Sequence, residues 1–335
     1  MEIIAIDGSK GEGGGQILRL ALALSSITRK PFKIEKIRSG RPKPGLQAQH
    51  LTSVNALAHL TNAAVEGANL GSTELFFSSK NITGGYYTFD IGTAGSITLL
   101  MQTLLPALLF ADRQSNLTLI GGTHVKHSPS IDYFNNVFLP VVRKMGVNAE
   151  IDIQEFGWFP KGRGKAILYT KPSKLSAIEI VEKSNLISIN AFASQSNLPD
   201  DILTREEEGV RTVFPGATFN KKLLPSASAG TGLTLWAEYD NTILGVDSLG
   251  KKGLRAEQLG SSTAKELSKC IKSKGAVDPW MGDQLLIYMA LASGNSKIKV
   301  PRITGHINSC LEIIPMFTGV EFKIDNNIIS VDGIG

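Results

Sequence analysis

The sequence predicts an α/β protein of three βαβαββ repeats, with a small α/β domain inserted into the third. Two observations carry this expectation. Segments with helical and strand-like periodicity follow one another in one recurring order: helix, strand, helix, hairpin. Residues 185–275 then interrupt the last copy with strand and helix signals of their own, over a length suited to a unit that folds alone. The expected division is a body formed by 1–184 and 276–335, and an inserted domain at 185–275.

In the first copy MEIIAID reads as a strand, GGGQILRLALAL as a helix behind glycines, and FKIEKIR as an alternating strand. PGLQAQHLTSVNALAHL follows as a helix with Pro44 in its first turn. STELFFSSK and YYTFDIG on either side of NITGG give the expected hairpin. The order returns with TAGSITLLMQTLLPALL, NLTLIGG, PSIDYFNNVFLPVVRKMG and a strand pair around AEIDIQ and KAILYT. It appears a third time in MGDQLLIYMALASG, SKIKVPRI, GHINSCLEIIPMFTG and EFKIDNNIISVDG, whose Asn-Asn marks a turn. Few residues match between copies, so the repeat is one of element order. Within the insertion, LISINAF, GLTLWAEY and TILGVDS read as strands, the last two joined by Asp240-Asn241. PDDILTREEEGVRTVF and AEQLGSSTAKELSKCIKSKG read as helices.

At 335 residues, 42% hydrophobic and 19% charged, the chain can build a large core without staples and is no charged disordered polymer. The longest apolar stretch, Ile97 to Ala111, contains Thr98, Gln102, Thr103 and Pro106 and falls short of a membrane span. Strand-like and glycine-rich residues stand where a signal peptide would begin, so a cytoplasmic protein with no membrane partner is expected. Cys270 and Cys310 are too few for a disulfide framework and are assigned to packing. The net charge of +5 is local: residues 1–50 hold nine Lys or Arg against four Asp or Glu. Arg38, Arg41 and Lys43 crowd a Gly/Pro loop before a helix, which points to an anion site.

GSKGEGGGQILR resembles a phosphate loop, since glycines let backbone amides approach an anion at a helix start. It fits neither named template: Gly14 stands where a Walker loop needs Lys, and Gln16 where the dinucleotide pattern needs Gly. Glu12 within the loop and Arg19 beyond it suit an anion together with a metal. Of five histidines, His50 and His59 are assigned to packing, and His124 with His127 form a two-imidazole metal candidate lacking a third ligand. His306 differs: it opens a helix behind Gly305, a position that keeps an imidazole neutral and aims it at an anion. Trp280, Asp283 and Gln284 lead another apolar helix, where the indole suits stacking on a base. Gln102 is a buried polar residue without a visible partner.

IDGSKGEGGGQILR, IRSGRPKPGLQAQHL, GTAGSITLLMQ, GGT followed by PSIDY, SNLP, and DQLLIYMALA followed by the helix-leading His306 together resemble the RNA 3′-terminal phosphate cyclases, from residue 3 to about 320. The resemblance implies the cyclase and enolpyruvyl-transferase-like arrangement of repeats. It further implies an ATP-dependent enzyme using a divalent cation, Mg or Mn, that adenylylates a histidine and closes RNA 3′-phosphate ends into 2′,3′-cyclic phosphates. By the same resemblance His306 is the catalytic histidine, and Arg19, Arg38, Arg41 and Gln49 are phosphate-binding. Glu12 lies near metal and nucleotide, Pro129, Tyr133 and Trp280 form the adenine pocket, and Asp283 sits beside the histidine. Lys43 joins the phosphate group from charge placement, and Gln102 and Gln284 join the nucleotide site. Two other readings stand beside this one: a noncatalytic cyclase-like RNA-binding protein of ribosome assembly, against which His306 argues, and an enolpyruvyl transferase, which needs more repeats than this chain supplies. A homo-oligomer is compatible with the sequence.

Overall fold

In Phe32–Glu35 the apolar side chains are buried and Lys33 and Glu35 are exposed, so this strand has one dry face and one wet one. That asymmetry, repeated in the longer strands, makes each sheet a cover over helices. The computed structural model describes residues 2–335. The first repeat comprises β1 (Ile4–Asp7), α1 (Gln16–Thr28), β2 (Phe32–Glu35), α2 (Ala48–Thr61), β3 (Ala64–Glu66) and β4 (Leu75–Ser78). Its sheet order is β1-β2-β4-β3, with β1 parallel to β2 and the other pairs antiparallel.

The second repeat begins with β5 (Tyr86–Asp90), α3 (Ile97–Leu108) and β6 (Ser115–Gly121). Its second helix is broken into α4 (Ile131–Tyr133), a π turn at Phe134–Phe138, and α5 (Leu139–Arg143); β7 (Asn148–Glu155) and β8 (Gly164–Lys171) complete it. The order β5-β6-β8-β7 reproduces that of the first sheet, with the same pattern of parallel and antiparallel pairs. The third repeat opens with β9 (Glu179–Ile180).

The chain then leaves to form β10 (Leu186–Ser196), α6 (Asp201–Arg211), β11 (Thr218–Leu223), β12 (Gly230–Tyr239), β13 (Ile243–Leu249) and α7 (Ala256–Lys272). These make a four-stranded sheet, β11-β10-β12-β13, with an apolar cluster of its own around Leu203, Leu235, Ala264 and Leu267. Where the chain leaves and returns, the Lys183 ammonium donates to the carbonyls of Ile271 at 2.8 Å and Ser273 at 2.6 Å. The third repeat resumes with α8 (Met281–Leu291), β14 (Ser293–Lys299), α9 (Gly305–Thr318), β15 (Phe322–Asp325) and β16 (Ile328–Ile334). Its sheet runs β9-β14-β16-β15, so all three copies share one strand order.

One strand expectation needs correction. STELFFSSK and YYTFDIG do not form a hairpin: β4 pairs with β3, whereas β5 runs parallel to β6 in another sheet. NITGG is thus the link between repeats, and Gly84 within it passes so close to the Arg113 carbonyl that a Cβ would lie 2.1 Å from the oxygen. The first strand of the third copy, β9, lies before the insertion, is two residues long and pairs through Glu179 and Ile180.

The helices face inward. α1 is buried on nearly every side from Gln16 to Ser26 and packs against α2, α3 and α9, while α8 packs against α3 and α9. A helix that is apolar all round belongs in the centre of a core. Asp278, wholly buried, joins three parts of the molecule. Its carboxylate accepts from the Tyr133 hydroxyl at 2.9 Å, from the Gly245 amide of β13 at 3.0 Å, and from the amides of Trp280 and Met281 at the start of α8. Burial nevertheless pushes this carboxyl up to about 6.

His124 and His127 do not converge on a metal. His124 is buried between Thr123 Oγ1 at 2.8 Å and Asp132 Oδ2 at 2.9 Å, stacked on Trp158, whereas His127 is exposed. Among the described residues no group of three or more His, Cys, Asp or Glu is placed to hold a metal ion, and no helix is long and apolar enough to cross a membrane.

Because Asp278→Ala orphans a buried hydroxyl and three amides, it is expected to cost about 3 kcal/mol or more, and Tyr133→Phe about 1–2 kcal/mol, in denaturant unfolding. Equal, negligible losses would show that the carboxylate does not join the parts.

Candidate active site

Five helices begin at one place. Gln16 opens α1, Gln47 precedes α2, Ser96 caps α3, Trp280 precedes α8, and Thr304 caps α9 with its hydroxyl accepting from the Ile307 amide at 3.2 Å. Side chains near these ends touch one another across the repeats, so the positive ends of several helix dipoles share a small volume. An anion is the natural occupant.

His306 lies in the first turn of α9, with its side chain 41% exposed. Its Nδ1 meets Gln16 Oε1 at 2.5 Å. The other end of that amide is committed, since Gln16 Nε2 donates to Asp283 Oδ2 at 3.0 Å and to Cys310 Sγ at 3.3 Å. The amide oxygen therefore accepts and Nδ1 carries the proton, which leaves Nε2 on the side of Glu12. Partial burial, helped by Arg19 and Arg41, lowers the His306 pKa, with the Glu12 carboxylate pulling the other way. The net shift favours the uncharged ring. Glu12 Oε2 stands 3.2 Å from His306 Nε2 and 3.6 Å from an Arg41 nitrogen.

The glycines of the first loop are required where they stand. A Cβ on Gly15 would lie 2.4 Å from His50 Nε2, one on Gly14 2.9 Å from Arg41 Nη2, and one on Gly305 2.9 Å from Glu12 Cγ. The loop is therefore pressed between the start of α9 and the basic loop. Gly11 and Gly13 also adopt positive φ values of 57° and 55°, which side chains other than glycine rarely do.

The expected residues gather here with differing geometry. Arg19 is half-buried; desolvation lowers its pKa to about 10, still a cation at neutral pH, and Asp283 opposes the shift. Arg38 turns inward, with Nη1 donating to the carbonyls of Lys43 at 2.6 Å and Gly45 at 2.8 Å, so it shapes the basic loop from within. Arg41 and Lys43 are exposed. Gln49 Oε1 accepts from the Ser96 amide at 2.9 Å and ties α2 to α3. Gln102 gains the partner the sequence did not show: its Nε2 donates to Gln284 Oε1 at 2.7 Å, and Gln284 Nε2 donates to the Trp280 carbonyl at 2.7 Å. Arg19, Gln102, Asp283 and Gln284 line one cleft with Gln16 and Tyr288. Burial raises Asp283 to about 7, so this carboxyl holds its proton to near neutral pH.

Trp280 is 44% exposed and offers a ring face, and the Pro129 carbonyl accepts from Thr98 Oγ1. Tyr133 departs from expectation. At 1% exposure and bonded to Asp278, it has no open face for a base, and it braces the helix start that carries Trp280.

Two residues of the site escaped the sequence reading. Gln16 stood out only as a mismatch to a dinucleotide motif, and its role depends on Asp283, 267 positions away. His50, assigned to packing, is 5% exposed beside Arg19 and the glycine loop. Its Nδ1 accepts from the Gln47 amide at 3.3 Å, which leaves the proton on Nε2, facing Gly15. Burial, together with Arg19 and Arg38, drives its pKa down to about 3, so it is a neutral donor in a basic site. The adjoining Gln49 was the only signal of it in the sequence.

A family model described as RNA 3′-terminal phosphate cyclase matches residues 10–324. Proteins named RNA 3′-terminal phosphate cyclase are similar along the whole chain. That of Pyrobaculum neutrophilum is 40% identical over 343 residues, covering 99% of each chain. The one from Staphylothermus marinus is 41% identical over 360 residues, covering 100% of this chain and 99% of that one. For Pyrococcus furiosus the figures are 41% over 332 residues, covering 97% and 96%. Among solved structures, the enolpyruvyl transferase NikO of Streptomyces tendae matches at 12% identity with a TM-score of 0.29, over 49% of this chain and 31% of that one, too slight a likeness to carry an argument.

The raised Asp283 pKa fixes a pH dependence. Between its ordinary value of 3.8 and about 7 the folded chain holds a proton that the unfolded chain releases, so this group's contribution to stability is full below pH 4 and is lost as pH rises toward 7. Asp283→Asn should flatten that part of the stability profile in denaturant titrations across pH 4–7. An unaltered profile would place the titration elsewhere.

Proposed function

The chain belongs to the RNA 3′-terminal phosphate cyclase family, and we propose that it converts an RNA 3′-phosphate into a 2′,3′-cyclic phosphate at the expense of ATP, with His306 as the carrier of adenylate. The observation that carries this reading is the ring of His306, held through Nδ1 by Gln16 with Nε2 beside Glu12, whose carboxylate also approaches Arg41 of the basic loop. In the first step Nε2 attacks the α-phosphorus of ATP and pyrophosphate leaves, forming a phosphoramidate. An oxygen of the RNA 3′-phosphate then attacks that phosphorus, the imidazole departs, and AMP is joined to the RNA end. Finally the neighbouring 2′-hydroxyl attacks the terminal phosphorus, and AMP leaves as the ring closes. Covalent transfer divides one difficult step into easier ones, and ring closure is intramolecular, which supplies a large effective molarity.

The chain's own groups suit each step. A neutral imidazole is nucleophilic, and burial keeps His306 neutral among cations. Gln16 holds the proton on Nδ1 and so leaves Nε2 unprotonated. Arg19, Arg41 and Lys43, with the Nε2–H of His50 and the glycine loop amides, can neutralise phosphate oxygens that gain charge in the transition states. Arg38 and Gln49 keep that cluster in shape through the bonds described above. Trp280 offers the stacking face for adenine together with Pro129, and Gln284, bonded to the Trp280 carbonyl and to Gln102, joins it to the neighbouring cleft.

A divalent cation, Mg or Mn, fits Glu12 as a single carboxylate ligand sharing the ion with nucleotide oxygens and water, the usual manner of Mg²⁺ at phosphates. Bound there it would supply charge neutralisation at the leaving pyrophosphate. It would also occupy the Glu12 carboxylate that otherwise lies against Nε2.

Incubation with ATP labelled at the α-phosphate should leave an acid-labile label on the protein, and His306→Ala should abolish it while binding of a 3′-phosphorylated oligoribonucleotide persists. Gln16→Ala is expected to slow labelling about 100-fold, mainly in kcat, because a misplaced nucleophile costs rate more than affinity. Full labelling of the His306→Ala protein would refute the assignment.

A further inference from the structure

The turn between β7 and β8 combines three features that no function has absorbed. Phe159 is 77% exposed. Lys161 and Arg163 point to solvent, while the alternating Gly162 and Gly164 are buried. Among the described residues neither cation takes part in an ion pair, although Lys10, Lys33 and Lys36 elsewhere on the surface are all paired with carboxylates.

The turn is rigid and its place is fixed. Gly162 donates its amide to the Trp158 carbonyl at 2.8 Å, and Trp158 is locked beneath, stacked on His124 and bonded through Nε1 to Ser196 Oγ at 3.0 Å. Gly162 presses on the approach to α3 so closely that a Cβ there would lie 2.7 Å from Ala94 Cα. The next residue, Gly95, packs in turn against Gln49, whose amide holds the Ser96 backbone. Through Gly162 the turn therefore stands one packed layer from the start of α3, one of the helix starts of the candidate site.

We propose that this turn is the platform for the RNA strand behind its 3′-phosphate: Phe159 stacks on a base, and Lys161 and Arg163 meet the backbone phosphates. The proposal rests on the cyclase reading, because a terminal phosphate held among the helix starts requires the remaining nucleotides to leave across some rim. Aromatic rings interleaved with cations are how proteins hold single strands without reading sequence. In the alternative groove beside β1 and α9, Lys10, Lys33 and Lys36 are each paired with Glu312, Glu35 and Asp7 in turn, so their charge is already compensated.

The test measures binding of a 3′-phosphorylated oligoribonucleotide by fluorescence anisotropy, alongside protein labelling from α-labelled ATP in the absence of RNA. Phe159→Ala should weaken RNA binding roughly 5- to 100-fold. Phe159→Tyr should restore it. The double variant Lys161→Ala, Arg163→Ala should reduce the slope of log affinity against log salt by about 1.4. All three proteins should label with AMP as the wild type does, since the platform lies outside the adenylylation step. If the variants bind RNA with wild-type affinity and slope, the platform is refuted and the cyclase reading stands. A wild-type protein that labels with AMP but binds no RNA end refutes both.

Discussion

The carboxamide of Gln16 is the joint on which the active centre depends. It is the first residue of α1, it bonds α8 through Asp283, and it reaches α9 through both His306 and Cys310. An amide has one accepting and one donating end, so the two bonds are not interchangeable. Once Asp283 has engaged the nitrogen, the oxygen can only accept, and the tautomer of the histidine follows. The first and third repeats are thereby brought to one geometry by a group carrying no charge of its own.

The electrostatics around it are a contest between burial and charge. Nearby arginines and partial desolvation both disfavour the imidazolium, and one carboxylate opposes them without prevailing. His50 shows the same forces without an opposing acid, and its shift is larger. Arginine suits such a site because its charge survives desolvation, as Arg19 illustrates. Lysine stays where water remains, at the exposed Lys43.

Much of the fold was legible in the sequence because each repeat announces itself through a change of hydrophobic period. The misread hairpin failed for a physical reason: NITGG has turn composition, but pairing is decided by which strand a crossover helix returns beside, and α3 brings β6 to β5. The two-residue β9 carries too little pattern to be seen. In the site, His306, Arg19, Arg41 and Glu12 were legible from loop glycines and charge. Gln16, His50 and the burial of Tyr133 were not, because each takes its meaning from a neighbour remote in the chain, such as Asp278 for Tyr133. A phenol and a glutamine look alike in sequence whether they face a ligand or a buried carboxylate.

The clasp of Lys183 on Ile271 and Ser273 bears on how the third repeat comes together. Its opening strand is synthesised before the insertion and its helices after it, so the sheet joining them has a long excursion to close. If the insertion assembles first, the clasp brings entry and exit side by side, and the remaining excursion shrinks to the stretch through α8 that leads to β14, with less closure entropy left to overcome. In that order of events the guest would serve its host as a staple during biogenesis, and loosening Lys183 would be felt in the speed of assembly more than in the finished molecule.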